Sequence, residues 1–333
     1  MPGFPMYSLP IVALRELFLQ LSLPEIFNIS LCSKRSQRNV ELLMRRGNSL
    51  EVQLDATEAS KISVQRKNEY FHLKVAEFSD LIEKPEATAL VNLNGSSVTV
   101  SIIGQTLFVT DKKSALKNVT KHVLNIFRCQ IGKANIGDSC SSYVPTWVIE
   151  QQDPINTLSI DARNPSVNDL SLLFTKAKVS AKLTCSFEYS SQGPRPAIKM
   201  GKISLQRFDN DSSSWMTAEH LLNLNFEIGL LSESSFKNRD MNRFLKHWMA
   251  GGCNRLQEVC IEMQGFIKYS EVLRGVDHEL ISADEVNEYY SKLYEDTMEI
   301  RGGFQVCRRS DGKVARLLDN GASSYFFSFV VFE

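Results

Sequence analysis

The sequence predicts an α+β/α/β chain: three short helices at the N-terminus, then a strand–helix, repeat-like curved array with hairpins at its ends. Three observations carry this expectation. Apolar residues recur at helical spacing up to about residue 46; from Leu50 onward short runs alternate apolar and polar residues, as half-buried strands do; and from Leu158 to Leu256 candidate strands alternate with helices.

The length of 333 residues suggests two structural units. The chain is 43% hydrophobic and 23% charged, the composition of a soluble globular protein. Lys plus Arg and Asp plus Glu are 38 each, so the overall charge points to neither nucleic acid nor an anionic membrane. No apolar run approaches the roughly 18 to 20 residues of a membrane span. Seven scattered cysteines (Cys32, Cys129, Cys140, Cys185, Cys253, Cys260 and Cys307) without a secretory segment before them imply free thiols in a reducing compartment, cytoplasm or nucleus.

In the first helix Ile11, Val12, Leu14, Leu17, Phe18, Leu19 and Leu21 cover an arc of about 220°, against about 100° for a helix lying on one core. Such a helix is covered on two sides. The second opens with Ser22 and Glu25 in a capping-box pattern, with Pro24 in its first turn, and continues through Ile26, Phe27, Ile29 and Leu31. A third spans Arg38 to Arg46 and stops at Gly47. Three helices in about 45 residues are near the lower size limit for folding alone. Periodicity leaves two covers open for the surplus apolar face: a partner, or the rest of this chain.

Strands are expected at LEVQL, KISV and FHLKV, and a hairpin at VNLNGSSVTV around Asn94-Gly95. A helix follows from Lys113 to Cys129, and another starts at Tyr143 to Val148. TLSID, KLTCSFEY, LNLNFEIGL and LQEVCIEM read as strands starting near Leu158, Leu183, Leu222 and Leu256. VNDLSLLFTKA, WMTAEHL and the segment of Met241, Phe244, Leu245, Trp248 and Met249 read as helices, the last stopped by Gly251-Gly252. SSQGPRPAIKMGK is a loop. Strand intervals of roughly 25 to 40 residues fall in the range of leucine-rich and related repeats, and right-handed crossovers would stack the units into an open array, favoured over a closed doubly wound fold because the tail does not continue the alternation. The tail is expected to hold a helix capped by Ser282 and Glu285, a hairpin around Asp311-Gly312 and a buried terminal strand in SSYFFSFVVF.

Catalytic and metal patterns are weak. His247 and Cys253 are close in sequence, but His247 sits on a core-bearing helix, and Cys253 with Cys260 lacks a second ligand pair. No phosphate-binding loop, dinucleotide fingerprint, nucleophile elbow or zinc-protease helix is present, so no catalytic residue, cofactor or metal is assigned. Arg308, Arg309 and Lys313 read first as an exposed hairpin tip and second as a phosphate or acidic-peptide contact. Trp147, Trp215 and Trp248 read as core.

The stretch from Leu9 to Arg35 resembles an F-box: Leu9-Pro10, then Leu14, Leu17, Leu21, Ile26, Ile29, Leu31, Cys32 and Lys34, without gaps. Val12 stands where that family often has an acid, and Cys32-Ser33 where Val-Cys is frequent. The resemblance implies docking on the Skp-type adaptor of a cullin-RING ubiquitin ligase, with Leu9, Pro10, Leu14, Leu17, Leu21, Ile26, Ile29, Cys32 and Lys34 at or near the interface. Six basic residues (Arg15, Lys34, Arg35, Arg38, Arg45 and Arg46) face three acidic ones (Glu16, Glu25 and Glu41), which would suit an acidic partner surface.

SSWMTAEHLLNLNFEIGLL, DMNRFLKHWMAGGCNRLQEVCI and FQVCRRSDGKVA resemble the type 2 F-box-associated domain that follows nematode F-boxes, most specifically at Met241-Asn242, Phe244 to Lys246, Trp248 and Arg255-Leu256. This resemblance implies a substrate-recruiting domain over 49–333, its strand–helix part about 110–300, behind an F-box over 1–48. The expected function is a non-catalytic substrate receptor of a cullin-RING ligase that holds an unidentified target protein. An F-box-like interaction or scaffold protein outside any ligase is the alternative.

Overall fold

The computed structural model describes residues 6–44, 50–83, 87–93, 96–138, 141–189, 196–319, 321 and 324–332. The expected Asn94-Gly95 turn, together with Arg45, Arg46, Gly47 and Cys140, lies outside the described residues. The chain divides into two compact units, 1–135 with 150–152 and 136–149 with 153–333.

The first unit opens with α1 (Ile11–Gln20), α2 (Leu23–Cys32) and α3 (Lys34–Leu43). The α2 start follows the sequence signal: the Glu25 carboxylate accepts from the Ser22 backbone N at 2.8 Å and from its Oγ at 2.7 Å. The third helix starts earlier than apolar spacing suggests, because the Ser33 hydroxyl accepts from the Ser36 backbone N at 3.0 Å and caps it.

Strands β1 (Leu50–Ala56), β2 (Lys61–Arg66) and β3 (Glu69–Glu77) form an antiparallel meander. Next come β4 (Ala89–Leu93), β5 (Ser96–Ile103) and β6 (Thr106–Val109). β6 pairs parallel to β3, and β5 and β4 continue outward antiparallel. The four-residue β6 is too short to show a period, and it was not expected from the sequence. α4 (Lys112–Phe127), capped by Asp111, leads into β7 (Ile131–Asp138), of which the part up to Asn135 belongs to this unit, beside β1.

Register places Val52, Val64 and Phe71 in one row and Leu54, Ile62 and Leu73 in the next, all buried. Glu51, Gln65 and Tyr70 alternate onto the other face, the period of two that their spacing predicts. α2 packs on β3 and β4, and α3 on α4. Leu23, Ile26 and Phe27 are buried, and the Phe27 ring lies 5.5 Å from that of Phe71. The helices therefore share a compact unit with the strands behind them, although the change from helix to strand falls near residue 48.

The second unit contains β8 (Ile155–Arg163), α5 (Val167–Lys176), β9 (Val179–Glu188), β10 (Ile203–Asn210), α6 (Ala218–Asn223), β11 (Leu224–Leu231), α7 (Asn238–Met249) and β12 (Glu258–Glu262). A one-turn α8 (Tyr269–Val272) precedes β13 (Glu279–Ser291), β14 (Asp296–Cys307), β15 (Val314–Leu317) and β16 (Phe326–Val331). β8 to β12 are neighbours in chain order and all parallel. β16, β15, β14 and β13 extend the sheet antiparallel.

Two rows of side chains form the core face. Leu158, Leu183, Phe208, Gly229, Val259 and Phe329 make the first, and Ile160, Cys185, Asn210, Leu231, Ile261 and Phe327 the second. α7 lies on their C-terminal part, with Phe244 6.0 Å from Phe327 and Trp248 5.1 Å from Phe329. α5 and Trp215 cover Phe187, the Phe174 and Trp215 rings stacking at 5.5 Å. All three tryptophans are buried, as expected.

The sequence reading needs four corrections here. β10 was absent from it, because the inward residues step by three from Leu205 to Phe208 and break the alternation. Ser282 and Glu285 belong to β13, not to a helix: the Ser282 hydroxyl accepts from the Asp284 backbone N at 3.2 Å within a register shift between Ile281 and Val286. Tyr143 to Val148 leads only into a short 3-10 turn, Thr146–Glu150. Arg308 is not part of an exposed tip: it is 1% exposed, with its guanidinium 5.0 Å over the Trp248 ring and paired to Asp311 at 2.6 Å.

Candidate functional site

The wide apolar arc of α1 resolves into two faces. Leu14 and Phe18, one turn apart, are buried at 4% and 1% exposure. Ile11, Val12 and Leu19 point outward at 63%, 69% and 44%, with Leu42 of α3 at 49%. Leaving Ile11 and Val12 in water forgoes roughly 1.5 to 3 kcal/mol for each side chain that a partner could bury.

The helix is held from behind by the β2–β3 hairpin. Arg66 Nη2 donates to the Leu21 carbonyl at 3.0 Å, Glu69 Oε1 accepts from the Leu23 backbone N at 2.6 Å, and the two side chains pair at 2.5 Å. This clamp fixes the α1–α2 junction. Deeper in the unit the Ser30 hydroxyl meets His122 Nε2 at 2.8 Å, and burial pushes the His122 pKa down to about 4, so the ring is neutral at pH 7. The hydrogen bonds from Ser22 hold the exposed Glu25 carboxyl below its ordinary pKa. Arg15, Lys34, Arg35 and Arg38 are exposed and form no ion pair among the described residues; Arg35 lies 5.7 Å over the Tyr7 ring.

Of the residues singled out from the sequence, Leu9, Leu17, Leu21 and Ile29 are half-buried, and Pro10, Cys32 and Lys34 are exposed. Leu14 and Ile26 are enclosed by the chain itself and hold the helices together. The most exposed apolar side chains of α1, Ile11, Val12 and Leu19, were not among those residues. The arc width was the signal for them, since it counted their side chains in excess of one core.

His247 and Cys253 both lie in the second unit. Cys253 is buried, its thiol donates to the Leu224 carbonyl at 3.3 Å, and burial pushes its pKa up to about 12 despite nearby Arg308. A Cβ at Gly252 would lie 2.0 Å from His247 Nε2, so a side chain there would have to displace the imidazole. Among the described residues no group of three or more His, Cys, Asp or Glu could hold a metal ion, and no helix is long and apolar enough to cross a membrane.

Family comparison matches residues 6–43 to the F-box domain, covering the 3-10 turn Met6–Ser8 and α1, α2 and α3, and residues 198–261 to the F-box associated family, covering β10 to β12. The chain carries an F-box and an F-box-associated domain. Both families are typically non-catalytic adaptor modules. The similar proteins come from Caenorhabditis elegans. One, an E3 ubiquitin-protein ligase hecw-1, is 24% identical over 82% of this chain and 24% of its own length. Two uncharacterized proteins are 23% identical over 77% of this chain and 60% of their own length, and 24% over 45% and 35%, respectively. The F-box chain thus spans less than two thirds of each of these relatives. No solved structure matches it.

Proposed function

We propose that this F-box protein is a non-catalytic substrate receptor of a cullin-RING ubiquitin ligase. Its helices (functionally residues 1–48) dock on a Skp-type adaptor, and the remainder (49–333) binds a target protein. The observation that carries the reading is the outward face of α1: Ile11, Val12 and Leu19 stay in water while Leu14 and Phe18 lock the helix from within, all inside the F-box match. In this reading Leu9, Pro10, Leu17, Leu21, Ile29, Cys32 and Lys34, all exposed or half-buried, also contribute to the adaptor interface, while the buried Leu14 and Ile26 contribute through the packing of the helices. The unpaired cations Arg15, Lys34, Arg35 and Arg38 suit an acidic adaptor surface by steering encounter.

The receptor needs no active site. Holding target lysines near a charged conjugating enzyme raises their effective concentration, to about millimolar for flexibly linked sites. The parallel strands β8 to β12 with their helices act as a leucine-rich-repeat-like platform for the target, in the cytoplasm or nucleus.

Co-expression with a Skp-type adaptor tests the docking face. Wild type should co-purify, and Ile11→Asp/Val12→Asp should not while keeping its circular dichroism. Co-purification unchanged by the substitutions contradicts this face. A folded wild type that never captures the adaptor supports instead an F-box-like scaffold outside any ligase.

A further inference from the structure

The antiparallel end of the second unit closes a cavity on the sheet face opposite α7. On β12 and β16, Val259, Ile261, Phe327 and Phe329 turn toward the helix, and the alternate residues Glu258, Cys260, Glu262, Phe326, Ser328 and Val330 turn away. The β13–β14 hairpin covers part of this second face. Its hold is the Glu258 carboxylate, which is 5% exposed and accepts from Tyr289 OH at 3.0 Å, Ser291 Oγ at 2.7 Å and the Leu293 backbone N at 3.1 Å.

The enclosed space has a volume of about 270 Å³, with Glu258, Tyr289, Tyr294, Met298, Phe326 and Val330 in its walls. It is open to solvent past Tyr294, Met298 and Phe326, which are 56%, 38% and 47% exposed. Tyr289 and Met298 face each other across the hairpin register. No basic residue lines the cavity, and Glu258 forms no ion pair among the described residues. Lys292 lines the neighbouring 310 Å³ cavity instead, and its Nζ donates to Gln257 at 2.6 Å.

The local field is negative. Burial raises the pKa of Tyr289, Tyr294 and Cys260, and Glu258 raises each further, with Glu262 adding to the effect on Cys260 and no cation opposing it. A carboxylate at the floor and aromatic rings at the walls are the two elements that bind an organic cation away from bulk water.

We propose that this cavity receives a lysine or arginine side chain of the target protein, presented on an extended basic segment lying along β12 and β16. The assignment rests on the receptor reading and names the chemistry of its target. The cation enters past Phe326, lies against the Tyr289 and Tyr294 rings and pairs with Glu258, whose three donors already orient it.

Calorimetric titration of the full chain with an octapeptide of alternating arginine and serine tests this, against the same peptide with citrulline for arginine. The arginine peptide should bind at least ten-fold tighter than the citrulline one. Glu258→Gln, which keeps the side chain's size and one acceptor oxygen but removes the charge and the second acceptor, should weaken it at least ten-fold. Tyr294→Leu leaves the Glu258 bonds intact and should weaken it several-fold, so a loosened hairpin in the first variant does not decide the result alone. Equal binding of the two peptides, no binding of either, or affinity unchanged in both variants overturns the proposal. Adaptor capture on the same samples separates the two readings: capture without peptide binding sinks the cavity alone, and peptide binding without capture sinks the receptor reading alone.

Discussion

His122 shows how a single buried side chain couples α2 of the F-box to α4 behind it, and it carries a pH signature. The ring is neutral in the folded chain, with its pKa at about 4 against an ordinary 6.5, because burial penalises the charged form. Above about 6.5 neither state binds the proton, and the stability associated with this site is fully present. As pH falls from 6.5 toward 4 the unfolded chain takes up a proton that the folded site refuses, and up to about 3 kcal/mol is lost. Hydrogen exchange of the α2 and α4 amides should therefore accelerate between pH 7 and 4.5 beyond its intrinsic change, and less so in His122→Gln. Identical pH dependence in the variant would falsify the assignment. At Gly229 the constraint is steric: a Cβ would lie 2.4 Å from the buried Phe226 ring. Gly229→Ala should cost about 1 to 3 kcal/mol. Tryptophan fluorescence reports it directly, since Trp147, Trp215 and Trp248 all belong to the second unit.

Elements differed in how much of them the residues disclosed. α2 was legible because Ser22, Pro24 and Glu25 act locally, and α1 because its apolar arc is too wide for one core. β1, β2 and β3 were legible because LEVQL, KISV and FHLKV alternate strictly, whereas β6 and β7 of the same unit were not expected. β10 was hidden by the three-residue step between Leu205 and Phe208, and that step recurs in the same layer between Ile155 and Leu158 and between Phe226 and Gly229. Ser282 and Glu285 carry a helix-start pattern, but Arg316 at 4% exposure takes Glu285 as a partner at 3.3 Å, and tertiary pairing with β14 overrides the local preference. The split of the first two helices into inner and outer residues leads to a contrast between Ile26 of α2 and Leu19 of α1. Ile26→Asp buries an unpaired carboxylate where exposure is 0%, and should destabilise the first unit by at least about 3 kcal/mol, measured by chemical denaturation. Leu19→Asp should stay within about 1 kcal/mol of wild type. Equal losses in the two variants would mean that the α1 face is not free.

At the scale of the molecule, β8, β9, β11 and β12 could be anticipated from alternating strand and helix patterns, whereas β10 between them and the continuation through β16, β15, β14 and β13 could not. Those pairings are long-range: β12 meets β16 across more than sixty residues of chain, and no local period encodes them. The cavity beside Glu258 is hidden for the same reason, since its walls come from three distant segments. The proposed docking face differs, because it lies on one helix and its excess of apolar residues can be counted in a ten-residue segment. The receptor reading depends on that face being a binding surface in the intact protein. The most direct measurement is the affinity of the purified full chain for a Skp-type adaptor, compared with Ile11→Asp/Val12→Asp of unchanged melting temperature. The account predicts a loss of at least a hundred-fold, roughly the 3 kcal/mol or more that two buried aliphatic side chains supply; equal affinity in the two proteins would contradict it.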